Sequence, residues 1–348
     1  MREAFRPRAR QALEIVRNTM KKFLLTSSAL MAAAGFASGA TAAEWDTTVG
    51  GYMFAGIGLT DSDNTADGFG VMRDGEVYLN AKLTADNGIT FGTVVQLEAW
   101  SQGSDQIDEN YLYTEGSFGR LEIGGNDDAA YTMVSSLGAF SAAGTHFGYQ
   151  DQFGITGAAS GAGAGSGLIG GGVDSIGIHY FTPRFYGFQA GASYIPSTSA
   201  EGSAGDQNNF QFDDNVDESW AIAANYVGDF GDFGFDAGVG YYEREGRFGA
   251  GFDSLGFAGG VSFSGFGLRG YYDDDSRGDE WGAGLQYQTG PWTVAGGYSE
   301  SNVKDVDIAT GWVSYAAAPG VTLSTGIEWA ERGSAEDIGG AAIIGLSF

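Results

Sequence analysis

From Asp46 to its last residue the chain alternates apolar residues with polar or small ones, in short runs cut by glycine turns. The first run shows the rule. Val49, Gly51, Met53, Ala55, Ile57 and Leu59 share one parity, while Asp46, Thr48, Gly50, Tyr52 and Phe54 share the other. In a β-strand these two sets project to opposite faces. After an apolar leader no uninterrupted apolar stretch is long enough to cross a bilayer as a helix, yet the chain closes on Ile344, Leu346 and Phe348 with no charged tail. Lipid accepts a wall of alternating residues only when the sheet closes on itself, because an open edge leaves backbone N–H and C=O groups without partners in hydrocarbon. The pattern predicts an all-β fold, a transmembrane barrel with lipid outside and water inside.

The leader changes the charge arithmetic. Lys21 and Lys22 follow Met20, Phe23 to Phe36 is almost wholly apolar or small, and Ala40-Thr41-Ala42 offers a cleavage site. Residues 20–42 read as a secretory signal peptide and residues 1–19 as an upstream extension outside the natural start. Residues 1–42 hold seven of the 17 Lys and Arg and two of the 44 Asp and Glu, so the chain from Ala43 carries a net charge of −32. That excess excludes nucleic acid as a partner. Charge of this density must sit in loops and in a wet interior, since positions facing lipid cannot hold it. The chain has no cysteine, so rigidity has to come from ladder closure.

Alternation bounded by turn signals gives sixteen strands. Seven short turns fall at 85–88, 116–119, 183–187, 228–232, 262–265, 289–291 and 317–320, and eight longer polar connections at 61–68, 103–108, 125–173, 197–217, 245–251, 273–278, 301–305 and 332–337. Tight turns on one side and longer loops on the other are the asymmetry of an outer-membrane barrel. The connection 125–173 stands apart, because a stretch of this length without steady alternation is usually functional or disordered. Its first half is expected to fold into the lumen.

Parity places Glu76, Tyr78, Asn80 and Lys82 on one face of the second strand, opposite Val77, Leu79, Ala81 and Leu83. Gln96 and Glu98 follow on the same face of the next strand, then Arg120 and Glu122. These make the expected pore wall, with Arg73 added. Arg73 has the wrong parity, so its inclusion needs a bulge near Gly75 or a position above the lipid. Asp63, Thr65, Asp67, Gly68 and Asp74 approach the spacing of a Ca2+ loop, with Thr where an acid is wanted and Asp in place of the final Glu. The expectation is no cofactor beyond weakly bound Ca2+ at Asp63, Asp67 and Asp74. Catalysis finds no support in the motifs: there is no Gly-x-Ser-x-Gly elbow, and neither His146 nor His179 has an evident nucleophile beside it.

The segment from Asn110 through Glu115-Gly-Ser-Phe-Gly-Arg120 to Ala129 resembles the strand, turn and strand that lead into the third loop of Gram-negative general porins, closest to the alphaproteobacterial type. Tyr315-Ala-Ala-Ala-Pro-Gly-Val-Thr-Leu323 resembles the last tight turn of that family, and Gly345-Leu-Ser-Phe348 its closing strand. The resemblance implies a sixteen-stranded homotrimer in the bacterial outer membrane that passes small hydrophilic solutes through a lumen narrowed by the third loop. It also implies outer-membrane lipid, lipopolysaccharide and the barrel-assembly machinery as partners, with Phe348 as the assembly signal. The constriction is expected to set Asp127, Asp128 and Asp151 on the loop against Lys82, Arg120 and Arg73 on the wall, in a channel that favours cations. A ladder of arginines on the early strands, present in enterobacterial-type porins, is missing here. The alternative is a substrate-selective channel with a binding site in its lumen.

Overall fold

A computed structural model describes residues 44–63, 67–99, 106–138, 175–196, 218–244, 251–303 and 305–348. The upstream extension, the signal peptide, Thr65, Trp100, His146 and Asp151 lie outside the described residues. Sixteen strands run in chain order: β1 Asp46–Ser62, β2 Gly68–Thr84, β3 Thr90–Glu98, β4 Ile107–Gly116, β5 Gly119–Asn126, β6 Ser175–Phe181, β7 Phe188–Ile195 and β8 Ser219–Phe230. They continue as β9 Phe233–Arg244, β10 Phe252–Phe263, β11 Phe266–Asp275, β12 Asp279–Thr289, β13 Trp292–Ser301, β14 Val306–Ala318, β15 Val321–Arg332 and β16 Ala335–Ser347. Each pairs antiparallel with its sequence neighbours, and β1 pairs with β16 to close the barrel. Among the described residues, a short helix, α1 Ala129–Val134, and a 3-10 turn Ser135–Leu137 follow β5.

The closing seam runs from Ser62 opposite Asp337 to Tyr52 opposite Ser347. It ends with Gly51 N–H donating to the Phe348 carbonyl at 3.0 Å and Phe348 N–H donating to the Gly51 carbonyl at 3.1 Å. Gly51 has to be glycine, because a Cβ there would stand 2.2 Å from the Glu76 carbonyl oxygen on β2. The last residue of the chain is thus fixed to the first strand by backbone alone.

Parity sorts the faces as the sequence implies. Val49, Ile57, Leu59, Phe69, Val71, Leu285, Val294 and Ile327 stand exposed on the outside, where lipid replaces water. Phe118, Tyr186, Phe188, Phe230, Phe233, Phe266 and Trp292 are exposed beside the tight turns and form an aromatic girdle at that rim. All seven expected short turns are present. The connection expected at 332–337 is also tight, a two-residue turn at Gly333 and Ser334, with Gly333 at φ 63°. The polar run there reads as a loop, but above the lipid a strand can carry polar residues on both faces, and β15 and β16 continue pairing as Arg332 with Ala335.

Candidate functional site

The inward parity of the barrel carries two unlike walls. On β7 to β10 the inward residues are small: Gly191, Ala223, Gly240 and Gly256 are directly opposite one another in a single row. The next row runs Gln189, Asn225, Gly238, Ala258 and Tyr271. α1 and the 3-10 turn lie against this stripped surface, where Ala129, Ala130, Met133 and Val134 form one buried cluster with Phe181, Ala221, Ala223, Tyr242, Ala258 and Tyr271. Four glycines and alanines leave room for a helix backbone that larger side chains would fill.

Three wall side chains bond the backbone of this segment. Ser193 Oγ on β7 accepts from Ala129 N–H at 2.8 Å and is itself 2.8 Å from His179 Nδ1 on β6. Asn225 Nδ2 on β8 donates to the Met133 carbonyl at 2.8 Å, and Arg269 Nη1 on β11 donates to the Leu137 carbonyl at 2.7 Å. The groups bonded are helix-terminal N–H and C=O that have no partner within the helix. None of the three was among the expected site residues. Parity marks each as inward, and nothing local distinguishes them from their neighbours.

The wall on β1 to β5 is charged. Glu76 is buried and accepts from Tyr52 O–H at 3.0 Å. Carboxylate oxygens of Glu76, Glu98 and Asp108 lie within 4.8 Å of one another. Gln96 Nε2 donates to Glu109. Arg120 is bracketed by Glu122 and by Glu115, the latter at 3.2 Å, and its guanidinium lies 3.8 Å from the centre of the Tyr113 ring. Glu122 also accepts from Asn126 Nδ2 at 2.5 Å. Lys82 faces inward near the tight-turn rim, exposed and 3.5 Å from Asp46.

Several expected placements change. Arg73 pairs in register with Ala55, on the outward face between exposed Val71 and Leu79, and β1 and β2 run past Gly75 without a bulge. It is therefore no part of the pore wall. Asp128 is fully buried, and its Oδ1 accepts from Ala130 N–H at 2.8 Å and Tyr131 N–H at 3.0 Å, so it caps α1 instead of facing the lumen as a constriction acid. Asp127 is half-buried beside it, its N–H donating to Asn126 Oδ1. Among the described residues, the wall cation bonded to the segment is Arg269, while Arg120 is occupied by wall carboxylates. Asp63, Asp67 and Asp74 form no ligand group among the described residues: Asp67 accepts from Ser62 N–H, Asp63 from Glu336 N–H, and Asp74 from Gly75 N–H.

A family model described as Gram-negative porin matches residues 26–334. The chain belongs to the Gram-negative porin family. Among solved structures it is similar to a double mutant of the Rh. blastica porin, with 16% identity, a TM-score of 0.59, and 87% of this chain and 100% of that one covered. It is similar also to the anion-selective porin from Comamonas acidovorans, with 14% identity, a TM-score of 0.57, and 88% and 100% covered. At such identities the likeness concerns the fold. A search of curated proteins finds no match to the chain. Family and fold together make this porin an outer-membrane diffusion channel and not an enzyme.

Proposed function

We propose that this porin is a water-filled, cation-favouring channel for small hydrophilic solutes, working as a homotrimer, whose lumen is narrowed by the segment from Asn126 to Gly138. The observation that carries the proposal is the contrast between the two inner walls. A short segment is bonded to the stripped face of β7 to β10, while the wall on β2 to β4 gathers Glu76, Glu98, Asp108 and Glu109, and Arg120 on β5 is shared between Glu115 and Glu122. Acid in such excess over base, in a confined aqueous path, concentrates cations and repels anions. The sign of selectivity comes from these residues and not from the fold, since a structure of the same fold is described as anion-selective.

The trimer reading draws support from a shallow apolar groove of about 730 Å³ on the outside of β1, β2 and β13 to β16, lined by Ala55, Ile57, Val71, Trp292, Tyr315 and Ile344. Phe348, exposed at the seam, is the residue assigned to the barrel-assembly machinery. Glu300, Asp307, Glu331 and Glu336 face each other in register across β13 to β16. Like charges so placed repel, and weakly bound Ca2+ bridging to lipopolysaccharide relieves that repulsion.

A substrate-selective channel is the second reading, favoured by one feature. Phe54, Trp312, Ile343, Met72 and Tyr52 form an apolar cluster on the inward parity, where a purely aqueous lumen has no need of one.

The test is single-channel conductance with reversal potential across a KCl gradient in planar bilayers, for the wild type and for Glu76→Gln with Glu98→Gln. Large ohmic steps with a cation-selective potential that weakens in the variant support the proposal. Tiny steps that a solute blocks saturably favour the selective channel. An anion-selective wild type refutes the cation preference.

A further inference from the structure

The fork between Asp236 and Arg269 spans β9 to β11, and its chemistry differs from that of the other charged pairs in the wall. Arg269 Nη2 donates to Asp236 Oδ2 at 2.8 Å and Nη1 to Oδ1 at 3.2 Å, while Nη1 also reaches the Leu137 carbonyl at 2.7 Å. Between the two strands the register puts Gly260, opposite both Asp236 and Arg269. A Cβ there would meet Arg269 Cγ at 2.6 Å. The side chain can lie across β10 only because that position is bare. Both members are mostly shielded, with 25% and 15% of their side-chain surfaces exposed, and together they add no net charge to the lumen. A pair that cancels its own field has nothing to offer selectivity. It does have geometry to offer, since a planar guanidinium doubly bonded to a carboxylate is fixed in direction and presents its remaining N–H to a carbonyl that lacks a helical partner.

We infer that Arg269, aimed by Asp236 across Gly260, is the positioning residue that holds the far end of the Asn126–Gly138 segment to the wall, and that Gly238 beneath it sets how close the segment lies. The aperture is then decided by β9 and β11 and not by the acids of the loop. The inference rests on the reading of that segment as the narrowing element. Gly238 supplies the independent half of the argument: a Cβ on it would stand 3.0 Å from Leu137 Cδ1 and 3.2 Å from Val134 Cγ2, so the segment sits as close as a bare backbone permits. Ser193 and Asn225 hold the first turn and the middle of the segment. Among the described residues, Arg269 is the wall side chain that bonds the far end of the segment, through the Leu137 carbonyl.

The experiment compares the full-length porin with Arg269→Gln, Arg269→Lys and the double variant Arg269→Gln with Asp236→Asn. The readouts are open-channel current noise and liposome swelling with sugars of increasing size. Losing a charge-assisted hydrogen bond makes excursions of the segment about tenfold more frequent or more. Noise and entry of the larger sugars rise in Arg269→Gln, Arg269→Lys restores little because it lacks the fork, and the double variant keeps the wild-type reversal potential. The native chain has no cysteine, so Val134→Cys with Ala258→Cys, two positions packed in one buried cluster, gives a single lockable pair between segment and wall. Oxidised in the Arg269→Gln background, it returns the current to quiet, and reductant reverses the effect.

If Arg269→Gln is as quiet and as selective by size as the wild type, while the cross-link alters the current, the role of Arg269 is overturned and the narrowing segment stands. A cross-link that forms and changes neither noise nor sugar entry overturns the narrowing element as well. Should Arg269→Gln fail to assemble, Gly238→Val tests the same geometry from the opposite side: it pushes the turn into the lumen and lowers unitary conductance, and an unchanged conductance refutes the inference.

Discussion

Asp128 separates two accounts of how acids act in this channel. If it acts by charge, its amide should be as damaging as its deletion. If it acts as the cap of α1, the amide should pass almost unnoticed, because Asn accepts the same hydrogen bonds and ranks with Asp at this position. The side chain is fully buried and accepts from two helix-terminal donors at 2.8 and 3.0 Å. Replacement by Ala costs about 0.5–2 kcal/mol at an ordinary cap, and burial of the orphaned donors places this one near the upper end, about 2 kcal/mol. That corresponds to roughly a thirtyfold shift in the local equilibrium between seated and frayed helix. In planar bilayers Asp128→Ala is expected to show noisier open-channel current, while Asp128→Asn keeps both the noise and the reversal potential of the wild type. A reversal potential displaced equally by the two variants, with no added noise in Asp128→Ala, would refute the capping argument and return Asp128 to the electrostatics of the constriction.

Gly51→Ala brings a methyl to 2.2 Å from the Glu76 carbonyl at the closing seam; overpacking of this kind costs about 1–3 kcal/mol, so the heat-unfolding temperature of the purified barrel should fall, and an unaltered transition would mean the seam yields freely. Trp329→Phe removes the 2.7 Å bond from Nε1 to Glu336 at the outer rim, for an expected loss of at most about 1 kcal/mol at this exposed site and an unchanged conductance. Chelator should lower the thermal stability of the assembled porin if the carboxylate row on β13 to β16 uses Ca2+, and an identical transition with and without chelator counts against it. In the turn after β11, hydrogen bonds to Asp275 hold the Arg277 guanidinium above the ordinary arginine value against the opposing effect of burial. A raised value means the contact is fully present below the usual arginine range and lost only as pH rises beyond it. Exchange protection of Gly278 N–H, which donates to Asp275 Oδ1 at 3.1 Å, should therefore be flat between about pH 6 and 9 once corrected for intrinsic rates.

How much of this was legible in the residues follows from what parity can carry. Strand number, the tight-turn rim, the outward Ile57, Val71 and Leu285, and the inward Glu76, Glu98, Arg120 and Glu122 all follow from a period of two, because each pleat sends successive side chains to opposite faces whatever the neighbouring strand does. The same rule put Arg73 outside, and the bulge invoked to bring it in is absent. Height along the barrel is another matter. It depends on register accumulated over many ladders, so a reading by parity pairs inward charges freely and set Asp128 against Arg120, where the structure bonds Arg120 to Glu115 and Glu122.

The sequence by itself determined the alternating wall, the two faces and the closing of the sheet into a barrel, since these follow from pleat geometry and from the demand that every backbone group in lipid be paired. Tertiary structure alone decided that Ser193 meets Ala129, that Asn225 meets Met133 and that Arg269 meets Leu137, contacts spanning 64, 92 and 132 residues. It also decided that the bare row Gly191, Ala223, Gly240 and Gly256 would fall in register as a seat. In sequence those four are unremarkable small residues on four separate strands, and only ladder pairing turns them into one surface, because the room for a helix is made by side chains missing together at a single height.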